Sequence, residues 1–228
     1  MATLDSSDAN IIDTEPTNWR LIVYPILALL IIFVGGFSFY YYQQTHRNDL
    51  EIQATAAMIK AKTPEELAKV ADQFPGTDSG TLSLIGAGNL SFDKKNYDAA
   101  VTYYKQVLSE TSANPTLASS ARVGLASAQE AANKLDDAIN TYLVEAHLGK
   151  TSPYAPYAYS SAARLYEQKG DKEDRLKTLS DLLGAGFDAS SPFVQQAQAQ
   201  MKQLTAPPPT VVPVPASAPA PAVTPPAK

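Results

Sequence analysis

GNLSFDKKNYDAAVTYYKQVL, residues 88–108, is the stretch whose reading decides the fold. It carries two helices' worth of apolar pattern around a tight turn near Lys95-Asn96. ASAQEAANKLDDAINTYLVEA (126–146) has the same design, with its turn near Asn133-Lys134. ARLYEQKGDKEDRLKTLSDLL (163–183) repeats it again and turns at Gly170-Asp171. Aligning the turns brings Tyr97, Leu135 and Lys172 into register, 38 and then 37 residues apart. A two-helix unit at that period indicates a helical solenoid: one hairpin cannot cover its own apolar face, and stacked neighbours cover it.

Upstream of the repeats, Thr63-Pro64-Glu65-Glu66 is a strong helix start, with a threonine cap, proline at the first helical position and glutamate three residues after the cap. Phe74-Pro75-Gly76 ends that helix. Leu50, Ala54, Ala57, Met58 and Ala61 form an apolar stripe at helical spacing, into which a preceding helix can continue. That preceding stretch, LIVYPILALLIIFVGGFSFYYY (21–42), holds no charged residue. As a helix it reaches roughly 30 Å, the thickness of a hydrocarbon core. Pro25 falls near its first turn, where a missing N–H costs least. Trp19 and Tyr24 at one end and Tyr40, Tyr41 and Tyr42 at the other are rings suited to headgroup depth. A cleaved signal peptide wants a basic start and a small-residue cleavage site. Here Asp5, Asp8, Asp13 and Glu15 precede the span and tyrosines stand where cleavage would fall, so a retained anchor is expected. Gly35-Gly36 reads as a tolerated pair. Arg20 and Arg47 bracket the span, and the basic-residue count leaves its orientation open.

Downstream, Ser191-Pro192 is expected to cap a closing helix running to about Leu204. Beyond Ala206 the chain is PPPTVVPVPASAPAPAVTPPAK, which holds nine of the 17 prolines and reads as an extended polyproline-like tail. The expected class is therefore all-α. An acidic tail (1–18) leads into a transmembrane helix (19–42) and juxtamembrane helices (43–80). A solenoid of about three hairpins with its closing helix follows (81–204), and then a disordered Pro/Ala-rich tail (205–228).

Composition removes several function classes. With a net charge of -5 there is no broad attraction for nucleic acid. The absence of cysteine removes disulfides, thiolate metal sites and cysteine nucleophiles. His46 reads as an interfacial polar residue and His147 as the complement of a helix C-terminus. Asp136-Asp137 suits the opening of a helix. Gly86-Ala87-Gly88 lacks the third glycine, the lysine and the strand of a phosphate loop. Asn89-Leu90-Ser91 matches a glycosylation sequon inside a helical pattern. No catalytic constellation, cofactor site or metal site is predicted, and no small-molecule substrate; the expectation is a non-enzyme.

The repeat units resemble tetratricopeptide repeats. That family places a small residue midway along the first helix, matched by Gly88, Ala126 and Ala163. It places another early in the second helix, matched by Ala100 and Ala138, whereas the third unit has Arg175. An aromatic follows four residues on, as in Tyr104 and Tyr142, with Leu179 the softer counterpart. Glu145 stands where alanine is usual. The resemblance implies a surface lined by first helices that takes an extended or helical polypeptide. Its candidate lining is Ile85, Asn89, Phe92, Val123, Ser127, Tyr157 and Arg164. Ile85 and Val123 stand where carboxylate-gripping members carry basic groups, which argues against that activity.

Over residues 15–204 the layout is similar to the YfgM-like family of ancillary Sec translocon subunits. That resemblance implies a single-pass protein of the bacterial inner membrane with a cytoplasmic N-terminus and periplasmic repeats. It also implies protein partners: the Sec translocon, periplasmic chaperones and secretory clients. The alternative is an envelope scaffold tethering a cell-division, secretion or cell-wall complex through the repeats and the proline tail.

Overall fold

The computed structural model describes residues 19–110 and 114–206. The acidic stretch 1–18 and the Pro/Ala-rich stretch beyond Ala206 lie outside the described residues, as does the Trp19 side chain. Among the described residues there are nine α-helices and no strand. They are α1 (Trp19–Lys60), α2 (Pro64–Gln73), α3 (Asp78–Asp93), α4 (Tyr97–Ser109), α5 (Pro115–Ala131), α6 (Leu135–Ala146), α7 (Ala155–Lys169), α8 (Lys172–Gly184) and α9 (Pro192–Thr205). The register residues Tyr97, Leu135 and Lys172 each begin a helix, so α3/α4, α5/α6 and α7/α8 are the three expected hairpins. Each helix packs on its neighbours in chain order, and α9 closes against α8 and α7.

The turns between paired helices are built alike. Lys95, Asn133 and Gly170 take left-handed backbone conformations, with φ of 62°, 58° and 76°. The next residue's N–H donates five residues back: Asn96 to the Ser91 carbonyl (2.8 Å), Lys134 to Gln129 (2.8 Å) and Asp171 to Tyr166 (2.9 Å). This six-to-one bond satisfies a carbonyl that the helix end would leave bare. The turns are also linked to one another. Lys134 donates to Asp98 at 2.8 Å, and Lys169 pairs with Asp136 in the next step along the edge. Both pairs are exposed and contribute little to stability.

Close approach of the hairpins depends on missing side chains. The Tyr104 ring of α4 is buried between Gly88 of α3 and Gly124 of α5. A Cβ at Gly88 would meet that ring at 2.7 Å and one at Gly124 at 2.6 Å, inside any tolerable contact. Alanines do the same service elsewhere: Ala100, Ala126, Ala138 and Ala162 have no exposed surface.

Glu145, at a position where alanine is usual, is fully buried. Its carboxylate pairs with Arg122 of α5 and accepts from the Ser152 hydroxyl in the connection before α7. The Ser152 hydroxyl in turn accepts from the Tyr154 N–H at 3.0 Å. The larger side chain is thus tolerated because the charge has partners on both sides.

Helix α1 runs unbroken through residue 42 and on to Lys60. Among the described residues it is the helix long and apolar enough, by length and composition, to cross a membrane. Its C-terminal half packs on α2 and α3, is bonded to α3 by a Thr55–Ser79 hydroxyl contact of 2.7 Å, and is tied to it further by an acid. Glu51 accepts from the backbone N–H groups of Asp78 (3.0 Å) and Ser79 (2.8 Å) at the start of α3. A carboxylate there satisfies bare N–H donors and complements the helix dipole. The threonine cap of α2 forms as expected, with Thr63 accepting from the Glu66 N–H at 3.2 Å and Glu66 from the Thr63 N–H at 3.3 Å. The cap expected from Ser191 does not form: its side chain makes no bond to the α9 backbone. Asp188 instead organises the approach, accepting from the Ser190 N–H and hydroxyl, each at 2.8 Å.

Three outcomes check this packing. Gly124→Ala should destabilise by about 1–3 kcal/mol in chemical denaturation, because the ring of Tyr104 has nowhere to go. Gly184→Ala, with nothing within 4 Å of the added Cβ, should be neutral or stabilising. Arg122→Met, which leaves the Glu145 carboxylate buried alone, should cost about 3–5 kcal/mol, and a second change, Glu145→Met, should recover most of it.

Candidate functional site: a groove across the first helices

Five of the seven residues expected to line a partner surface come together. Asn89 and Phe92 project from α3, Ser127 from α5, and Tyr157 and Arg164 from α7. Three depressions overlap there. One of about 470 Å³ is lined by Asn89, Phe92, Tyr104 and Ser127. The next, about 360 Å³, shares Phe92 and Ser127 and adds Tyr157 and Arg164. The last, about 310 Å³, shares Tyr157 and Arg164 and reaches Phe193, Gln196 and Gln200 of α9. Because each shares residues with the next, they form one groove.

Ile85 and Val123 do not belong to it. Ile85 is only 8% exposed and packs in the core with Leu84 and Ala121, while Val123 packs against the second core cluster. Ile85 lies in the core and Val123 is half-buried against it, so their place as lining residues is corrected.

Equivalent positions in successive units hold the groove wall by equivalent bonds. The Tyr104 hydroxyl donates to Asn89 Oδ1 at 2.6 Å. One repeat on, the Tyr142 hydroxyl and Ser127 Oγ are 3.0 Å apart. In the third unit the tyrosine position is Leu179, which offers no hydroxyl, and the partner position is Arg164. That guanidinium turns back to Glu130 on α5 at 2.8 Å, and the bond holds Arg164 more firmly protonated. Arg175, at the third unit's small-residue position, pairs with Glu167 at 2.7 Å and donates to Gln200 of α9 at 3.1 Å. Aromatic rings run along the same wall. Tyr157 meets Tyr142 edge-on at 6.1 Å and Phe193 edge-on at 6.0 Å.

Phe193, Gln196 and Gln200 were not expected to face the groove. A closing helix is read from sequence as a cover, with Val194 and Ala197 as its buried side; the aromatic beside that buried side was the available signal. His46 stacks on Tyr42 at 6.2 Å and His147 meets Tyr159 edge-on at 5.9 Å, both away from the groove. Among the described residues no group of three or more His, Cys, Asp or Glu is placed to hold a metal ion. What the groove offers is ring faces, an amide, hydroxyls and ion pairs closed on partners within the protein. These suit a polypeptide's backbone and apolar side chains.

A family model described as "Tetratricopeptide repeat-like domain" matches residues 16–150. No curated protein sequence matches the chain. Among solved structures, a tetratricopeptide repeat protein from Parabacteroides merdae is similar at 15% identity and a TM-score of 0.49, over 69% of this chain and 59% of that one. A putative kinesin light chain with tetratricopeptide-like repeats from Podosopora anserina is similar at 13% identity and 0.47, over 69% and 84%. BtubC (BKLC) from P. vanneervenii is similar at 14% identity and 0.47, over 69% and 65%. The chain thus spans less than two thirds of the first of these.

The groove-wall tyrosines give a pH dependence. Burial, reinforced by the nearby Asp93 charge, pushes the Tyr104 phenol up to about 12. Burial also raises Tyr142. In the unfolded chain both ionise near pH 10. The Tyr104 contribution to stability is therefore complete below about pH 10 and is lost as pH rises from about 10 to 12. Denaturation midpoints measured across that window should fall less steeply for Tyr104→Phe than for the unaltered chain; equal slopes would refute the assignment.

Proposed function

The chain belongs to the family described as the tetratricopeptide repeat-like domain, and from that premise we propose that it is a membrane-anchored module that holds a polypeptide along the groove of its first helices. The anchor is the apolar half of α1, and the Glu51 carboxylate carries the hairpins on the extension of that helix. In this reading the chain is a chaperone-like accessory of the Sec translocon in the bacterial inner membrane. Its short N-terminus is cytoplasmic and its repeats are periplasmic, in contact with secretory clients or periplasmic chaperones. The similarity of layout to the YfgM-like family supports the choice of neighbour and the orientation.

The observation that carries the proposal is the groove itself: five side chains from three successive first helices, with two rings at its centre and its ion pairs already closed. A surface of that kind selects by shape and backbone hydrogen bonds more than by charge. Nothing in it pairs a nucleophile with a base: Ser127 is bonded to a phenol.

A photoreactive amino acid at Tyr157 tests this in intact membranes. Crosslinks to translocon subunits or to secretory polypeptides are expected from Tyr157 and not from the exposed Lys177 on α8. Crosslinks from Tyr157 to other envelope proteins alone would replace the translocon with a scaffold role. Equal labelling from both positions would overturn the groove as the binding surface.

A further inference from the structure

A depression of about 420 Å³ lies apart from the groove, between α1 and the turn from α2 into α3. Gln44, Arg47 and Asn48 line it from α1, and Pro75, Gly76 and Asp78 line it from the turn and the start of α3. The N-terminus of α3 is already closed there. Glu51 accepts from the Asp78 and Ser79 N–H groups, and Thr77 Oγ1 accepts from the Gly80 N–H at 3.0 Å. Two charges are left over. Among the described residues, no hydrogen bond or ion pair engages the Arg47 guanidinium or the Asp78 carboxylate, either with each other or with a third group. A cation and an anion that share one depression without meeting match a ligand that carries both charges.

Depth identifies the ligand. Arg47 stands five residues beyond Tyr42, where the uncharged stretch ends. At about 1.5 Å per residue that is roughly 8 Å. The headgroup layer adds about 5–8 Å to each side of the hydrocarbon, so Arg47 and the turn that shares its depression stand at headgroup level. We propose that this depression holds the headgroup of a zwitterionic phospholipid, with its phosphate on Arg47 and its primary ammonium on Asp78. The proposal rests on α1 being a membrane anchor. A guanidinium takes two phosphate oxygens through parallel N–H donors, and a carboxylate accepts from an ammonium. The Gln44 amide donates to Asn48 Oδ1 at 3.5 Å, which leaves the Asn48 NH2 group for a further ligand oxygen. An anionic headgroup without an ammonium satisfies Arg47 but sets its negative charge beside Asp78, so the dipolar headgroup is preferred. Bound there, the lipid bridges the anchor and the first hairpin at the membrane surface.

Native mass spectrometry tests this on the full chain released from vesicles of equal parts phosphatidylethanolamine and phosphatidylglycerol. Phosphatidylethanolamine should be the lipid retained. Arg47→Gln and Asp78→Asn should each lower its retention on the order of tenfold, and Arg47→Lys by less. Lys60→Gln, on the same helix but roughly 27 Å beyond Tyr42, should change nothing. In lipid-free detergent, Arg47→Gln should unfold at the same denaturant midpoint as the unaltered chain, because Arg47 has no partner within the protein. Equal retention of the two lipids, an equal loss in Lys60→Gln, or a lowered lipid-free midpoint in Arg47→Gln would overturn the proposal. Alkaline washing of membranes separates the two levels of failure. An unaltered chain stripped from the membrane refutes the anchor and the site with it, whereas a chain that stays and retains both lipids equally refutes the site alone.

Discussion

The Tyr104 ring sits where two glycines leave a space, between Gly88 of its own hairpin and Gly124 of the next. Three helices meet at that ring, and their spacing is set by its thickness. Had either glycine carried a Cβ, the helices would stand farther apart and the first helices would no longer lie side by side. Tyr142, only 1% exposed, occupies the corresponding place one unit on, against alanines. The hydroxyls of both tyrosines emerge at the groove and bond to Asn89 and Ser127. The same side chain therefore spaces the hairpins and finishes the wall of the groove.

Charges enter the interior only where backbone or side-chain partners wait for them. Glu145 is buried with Arg122 and Ser152 around it, and Glu51 is fastened to the first N–H groups of α3. A buried pair of this kind is weak as a source of net stability, but breaking it is costly, which makes it a device for fixing geometry. Glu145 fixes how α6 leads into the third hairpin. Glu51, with the Thr55–Ser79 bond beside it, ties the long helix to the start of α3.

The third hairpin departs most from its family pattern, and its departures are connected. With leucine in place of the ring-bearing tyrosine, Arg164 has no phenol to meet and reaches back to Glu130. With Arg175 in place of a small residue, the second helix presents a guanidinium that binds both Glu167 and Gln200. That second bond fastens the closing helix, which then contributes Phe193 to the groove. This unit packs on one side against a closing helix in place of another repeat.

The helix starts at Tyr97, Leu135 and Lys172 were readable because a turn with a left-handed residue leaves a compositional mark at a fixed period. The cap at Thr63 was readable because its partners are three residues away. Asn89, Phe92, Ser127, Tyr157 and Arg164 were readable because helical spacing places them on one face. Ile85 and Val123 share almost the same face, and a small rotation of each helix about its axis decides between groove and core. That rotation is set by which neighbour offers space, as Gly124 offers it to Tyr104, and no local pattern records it. The same holds for Glu51 at the start of α3, for Asp188 ordering the approach to α9 where Ser191 makes no cap, and for Phe193 joining the groove. Local periodicity and turn chemistry thus determined the helices, their order and their repeat. Only tertiary packing decided which of two adjacent side chains faces the groove, because that choice depends on contacts between residues far apart in the chain.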